Sequence, residues 1–250
     1  MLKPSRRNKK TTKPTRATGL NFELSKISPL TDNQEKTFEL YDSGKNLVLY
    51  GSAGSGKSFL SLYLGLKDMM EVGSFTKIII IRSAVASRDL GFLPGSEKEK
   101  VAVYEAPYKA IVNELYGRDD AYDIMKQKDI IQFESTSFLR GLTYNNCLIF
   151  VDEIENMCFH ELNTIFTRIG EGTKIIFAGD IKQCDLNAKK ETSGMADFLE
   201  ILKKLDEFGI VEYTMDDCVR SGLVRNYLID RKSTRLNSSH TDISRMPSSA

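Results

Sequence analysis

The stretch GSAGSGKS, residues 51–58, limits the folds open to this chain more than any other feature. It follows the apolar run NLVLY (46–50) and precedes FLSLYLGLKDMM (59–70), whose apolar residues recur at helical spacing. A glycine loop between a strand and a helix N-terminus turns successive backbone amides toward one point, with the helix dipole behind them, and such a point binds phosphate. Gly51, Gly54 and Gly56 supply the tight turns, and Ser52, Ala53 and Ser55 complete the loop. The pattern directs Lys57 to the β- and γ-phosphates and the Ser58 hydroxyl to Mg²⁺. A nucleotide with β- and γ-phosphates and Mg²⁺ are therefore the expected ligands.

Short runs rich in Val and Ile recur at NLVLY (46–50), KIIIIR (77–82), CLIFV (147–151), TKIIFA (173–178) and GIVEY (209–213). Runs this apolar suit strands covered on both faces. Helical patterns lie between them, at 56–71, 104–116, 159–169 and 193–207. The alternation predicts an α/β fold, a parallel sheet with helices on both faces. The interval 83–146 is too long for one crossover, so it must hold an insertion, with room for a further strand at DIIQFEST (129–136). With 250 residues, one such domain is expected.

The formal charge of +1 conceals an uneven distribution, because residues 1–18 carry seven Lys or Arg and no acid, leaving the remainder net acidic. This basic segment has no apolar run, so it reads as a disordered arm over 1–20, suited to touching nucleic-acid phosphates or merely to solubility, and not as a signal or membrane span. At the other end, DRKSTRLNSSHTDISRMPSSA (230–250) has no apolar periodicity and reads as a translated sequencing adapter. The domain is accordingly expected over 21–229. The cysteines, Cys147, Cys158, Cys184 and Cys218, form no Cys-x-x-Cys pair, so a disulfide framework or zinc site is not suggested and a reducing cytoplasm fits. Cys158 and His160 read as ordinary helix residues.

Two further strand ends carry acids. In CLIFVDEIEN, Asp152 is set to hold Mg²⁺ through water, and the adjacent Glu153 can orient and deprotonate an attacking water. The plain alternative is a helix N-terminus enriched in acids. FAGDIKQCD brings Gly179, Asp180 and Gln183 to the same C-terminal sheet edge, where Gln183 can bond both a γ-phosphate and the water; the alternative is a simple Gly-Asp turn.

GSAGSGKS, LGFLPGSEKEKV, FLRGLTYNNCLIFVDEIEN, FTRIGEGTKIIFAGDIKQCDL and CVRSGLV, taken in order and spacing over about 25–229, resemble the PhoH-like proteins. The resemblance implies a RecA-like P-loop NTPase core and ATP hydrolysis linked to single-stranded RNA. Short members with a basic arm look most like those encoded by phages, which would put the protein in the host cytoplasm. One departure stands out: where the family commonly has Asp-Glu-x-Gln, this chain has Asp152-Glu153-Ile154-Glu155. An ionised Glu155 only accepts hydrogen bonds and repels phosphate. The resemblance also points to Gln34 as an adenine reader, although Thr31 or Asp32 ahead of it reads equally well as a helix cap. It points to Arg168 and Arg220 as arginines that approach a γ-phosphate. One RecA-like core lacks a second face for a helicase cleft, so a homo-oligomeric ring, such as a hexamer, is expected, completed by Arg220 or Arg168 of a neighbour. The competing function is a nucleotide-controlled switch for an RNA-processing partner; a kinase is disfavoured by the adjacent acids.

Overall fold

The computed structural model describes residues 20, 22–83, 97–136, 141, 143–180 and 194–219, with backbone alone at 97–100. The arm through residue 19, the whole LGFLPG segment, Arg140, Gln183, Cys184, Arg220 and the tail 230–250 lie outside the described residues.

Six strands form one sheet: β1 (Asn46–Gly51), β2 (Lys77–Arg82), β3 (Ile131–Ser135), β4 (Cys147–Asp152), β5 (Lys174–Gly179) and β6 (Phe208–Tyr213). Their order is β3-β2-β4-β5-β1-β6, and each neighbouring pair is parallel. The helices are α1 (Asp32–Asp42), α2 (Lys57–Glu71), α3 (Glu97–Tyr116), α4 (Ala121–Gln127), α5 (Phe159–Phe166) and α6 (Met195–Leu202). The strand expected within 129–136 is β3. Helix α4 had no counterpart among the sequence patterns, because its seven residues span barely two turns.

Alternation along the strands divides the core in two. Leu47, Leu49, Ile78, Ile80, Leu148 and Phe150 face one side, against Leu62, Leu64 and Leu66 of α2, Tyr108 and Val112 of α3, and Tyr122 of α4. Val48, Ile79, Ile81, Ile149 and Val151 face the other, against Leu162 and Ile165 of α5 and Phe198 and Leu202 of α6. All six residues of β4 are buried, as a central parallel strand requires.

Helix α3 begins well before the expected residue 104, since EKEK consists of good helix formers. This puts Pro107 in the helix interior, where its missing N–H costs one intrahelical bond. Among the described residues no helix is long and apolar enough to cross a membrane. The chain thus has the α/β P-loop NTPase architecture, with the C-terminal ends of β1, β2, β4 and β5 along one edge.

Candidate active site at the phosphate loop

The loop after β1 takes the shape its glycines permit. Gly51, Gly54 and Gly56 have φ values of 118°, 78° and 84°, a region L side chains seldom occupy. Gly51 is also pressed against β6: a Cβ there would stand 2.0 Å from the Tyr213 carbonyl oxygen. The loop is tied from outside as well, because Ser52 N–H donates to Tyr213 O at 2.9 Å and Val219 N–H donates to Gly54 O at 3.1 Å. The chain returning from β6 thus meets the phosphate loop, one residue before Arg220.

Lys57 opens α2 and turns its ammonium back over the loop, donating to Gly51 O at 3.0 Å and Ser52 O at 2.7 Å. Burial lowers its pKa, against the pull of Asp180, Asp152, Glu155 and Asp217. The charges of four acids therefore act on one cation. Ser58 Oγ donates to Asp152 Oδ2 at 2.8 Å, which joins the loop to the end of β4. The same oxygen accepts from Tyr108 Oη at 3.1 Å, and Asp152 Oδ1 accepts from the Glu153 amide at 3.0 Å. Asp152 is only 9% exposed, and burial raises its pKa despite these three donors.

These residues fit the ligands the sequence suggests. Backbone amides and Lys57 suit a phosphate chain, and the Ser58 hydroxyl beside the buried Asp152 carboxylate suits a hard cation that keeps most of its water.

Glu153 is in the left-handed region at φ 53°, ψ 44°, and its Oε1 lies 2.6 Å from Arg82 Nη2 at the end of β2. Burial pushes the Glu153 carboxyl above its ordinary range against the pull of the guanidinium, and the Asp152 charge adds to the push. Glu155 turns the opposite way, toward β5, where its Oε2 accepts the Asp180 N–H at 3.0 Å. Burial pushes its pKa up to about 7, with the charges of Glu153 and Asp152 adding to the effect. The departure from Asp-Glu-x-Gln thus sits between two strand ends.

Gln34 is 3% exposed and lies against the loop, with Nε2 donating to Ser55 O at 3.1 Å. Its Oε1 accepts the Leu30 N–H at 2.8 Å, while Thr31 is the N-cap of α1 and accepts the Gln34 N–H. The helix-cap reading of this stretch is what the structure shows, and the capped helix start touches the phosphate loop. Arg168 is not brought to the loop. It follows α5, which runs back from the end of β4, and its carbonyl accepts from Tyr144 N–H near the start of β4, at the opposite sheet edge. Cys158 is the N-cap of α5 and His160 lies in its first turn.

Arg82, Tyr104 and Tyr108 were not expected at the site. A charge ending the all-isoleucine run of β2 was a usable signal for Arg82, since it marks the same strand edge as Asp152. The tyrosines, four apart on α3, carried only the spacing of a helix face.

A family model described as PhoH-like protein matches residues 26–229. The chain belongs to the PhoH-like family. It is 35% identical over 175 residues to a PhoH-like protein of Bacillus subtilis (strain 168), covering 70% of this chain and 54% of that relative. It is 30% identical over 217 residues to Protein PhoH of Escherichia coli (strain K12), covering 85% of this chain and 61% of that relative. This chain thus spans little more than half the length of these PhoH-like relatives. Among solved structures, it resembles the large terminase from a thermophilic bacteriophage, with TM-score 0.48, 13% identity, and coverage of 80% of this chain and 50% of that one. It also resembles the Pif1 helicase from Candida albicans, with TM-score 0.34, 16% identity, and coverage of 75% and 41%.

Proposed function

We propose that this PhoH-like chain is an Mg²⁺-dependent ATPase whose hydrolysis cycle is coupled to single-stranded RNA. The observation that carries the reading is the 2.8 Å bond from the phosphate-loop Ser58 to Asp152, with a second acid, Glu153, next in the chain. Nucleotide binding follows from the family and the loop. Hydrolysis, metal and RNA are the proposal.

In this reading the loop amides and Lys57 hold the phosphate chain, and Lys57 exchanges its bonds to Gly51 O and Ser52 O for phosphate oxygens. Ser58 and Asp152 would hold Mg²⁺, which would supply positive charge against the charge that builds on the phosphates. Glu153 accepts a proton from water as the water oxygen bonds to the γ-phosphorus and the bond to the β,γ-bridging oxygen breaks, giving ADP and phosphate. Gln183 is proposed to sense the γ-phosphate and Gln34 to read the base, a role in which it gives up its present bonds to Leu30 and Ser55. A ring of copies would supply Arg220 to a neighbour's γ-phosphate; Arg168, at the far edge of its own sheet, could act only across such a boundary. RNA coupling rests on the family resemblance and on the basic first 18 residues.

The test is phosphate release from ATP with and without Mg²⁺ and single-stranded RNA. Turnover is expected to need Mg²⁺, to rise with RNA, and to fall at least about 100-fold in Glu153→Gln. Equal turnover in that variant would remove Glu153 as the base. A second reading, a nucleotide-controlled switch with slow hydrolysis, draws support from the Arg82–Glu153 pair. It expects tight ATP binding and turnover indifferent to RNA.

A further inference from the structure

We infer that Arg82 is a brake on this site: its ion pair holds the Glu153 carboxylate on the β2 side of the sheet, away from the phosphate loop, and turnover requires the pair to part. The inference deepens the proposed hydrolysis and rests on it.

Strand order sets the geometry. Strand β4 lies between β2 and β5, and β1 with its phosphate loop lies beyond β5. Ser58 reaches Asp152 from the loop. Glu153 is drawn the other way, to a residue of β2 that pairs in register with Asp152. Its left-handed backbone reinforces this aim, since a Glu takes that conformation only when its surroundings compensate. A base acts only within hydrogen-bond reach of the water it deprotonates. A carboxylate paired at 2.6 Å with a guanidinium on the far flank of β4 is not free to take that proton until the pair parts.

Arg82 is itself restrained. Its side chain is 18% exposed, its guanidinium carbon lies 5.4 Å from the Tyr104 ring centroid, and its buried Nε has no hydrogen-bond partner among the described residues. A cation so placed keeps an anion beside it. Glu153 leaves readily only when another anion takes the guanidinium. The planar fork matches a phosphodiester, so a backbone phosphate of single-stranded RNA is the expected replacement. Arg82 would then act as a positioning residue that links strand binding to release of the base.

The experiment measures steady-state ATP turnover for the unmodified chain, Arg82→Lys, Arg82→Gln and Arg82→Met, each with and without single-stranded RNA. Without RNA, kcat is expected to rise in the order Arg, Lys, Gln, Met, reaching about 10-fold in Met, a fraction of what a general base supplies. KM for ATP should stay within about twofold, because the brake acts on the base and not on nucleotide binding. Stimulation by RNA should shrink in the same order. A residue needed merely for folding would lower kcat, and a fall or no change in variants that still bind ATP overturns the brake. If the Met variant does not fold, the Gln variant is judged by the same order; if neither folds, an unraised kcat in Lys decides against it. RNA stimulation that persists in full despite a raised basal kcat would show that another partner, such as a protein carboxylate, releases Arg82, and overturns the phosphate step alone. Glu153→Gln separates the two levels: full turnover in it defeats the hydrolysis reading, whereas its inactivity beside an unaccelerated Arg82→Met defeats only the brake.

Discussion

Asp152 shows how much one carboxylate can depend on its donors. It is buried, and its Oδ2 is held by Ser58 and by Tyr108, which is 1% exposed. Tyr108→Phe keeps the ring in the core and removes one donor from a buried acid. The expected cost is about 1–2 kcal/mol of stability in urea unfolding. The Mg²⁺ concentration needed for half-maximal turnover should change as well, since Asp152 then keeps only Ser58 and its own neighbour's amide. Unchanged Mg²⁺ dependence would mean that the phenol serves packing alone. Glu155 is a second residue whose environment sets its behaviour. With its pKa raised to about 7, it binds protons in the folded chain that it releases in the unfolded one between about pH 4.5 and 7. Stability from this group is therefore fully present below that window and lost as pH rises through it. The charges facing it are Asp152 and Glu153 from the β4 side and the Lys57 ammonium, while the Asp180 amide just past β5 donates to it. Glu155→Gln should accept the same amide bond, remain neutral throughout, and be more stable than the unmodified chain at pH 7.5 by about 3 kcal/mol. Equal stability of the two proteins at pH 5.5 and at 7.5 would refute this.

At the scale of elements, the phosphate loop is a junction between β1 and β6 as much as a binding loop. Gly51 pairs with Tyr213, and a Cβ on Gly51 would overlap the Tyr213 carbonyl. Gly51→Ala should cost more than about 3 kcal/mol, because both a forbidden φ and a backbone clash must be relieved. Gly73→Ala offers the comparison: φ is 75° but nothing lies within 4 Å, so only the conformational cost of about 1 kcal/mol is expected. Urea midpoints of the two variants measure the difference. The junction at β5 works similarly, since a Cβ on Gly179 would meet Glu155 Oε2 at 2.5 Å and Ile154 Cγ1 at 2.7 Å. The turn after β4 and the end of β5 can therefore lie close only with glycine at 179.

For the whole molecule, the contrast between a net acidic body and seven basic residues in the first 18 matters most for RNA. Phosphate contacts from that segment would release counterions on binding, so affinity should fall with salt. Replacing its seven Lys and Arg by Gln in the full chain should weaken single-stranded RNA binding and flatten the plot of log affinity against log salt. Basal turnover without RNA should not change. Fluorescence anisotropy at several salt concentrations reads the slope, and an unaltered slope would assign the phosphate contacts to the domain.

Much of the fold and part of the site were legible before any coordinates. The glycine loop, the Val and Ile runs of β1, β2, β4, β5 and β6, and the acids ending β4 are local patterns, and their physical causes act over a few residues. These placed Lys57, Ser58 and Asp152 at one strand edge and made a nucleoside phosphate the natural ligand to propose. Short α4 escaped because a seven-residue helix shows too little periodicity, and the early start of α3 escaped because EKEK has no apolar residue to show a helical period. The tertiary structure alone decided which way each acid turns. Glu153 meets Arg82, and Glu155 meets Asp180, because β4 lies between β2 and β5 in the sheet. Tyr108 reaches Asp152 because α3 packs over the end of that strand. Strand order arises from crossovers between distant segments, and no local pattern of residues encodes which strand end will face which.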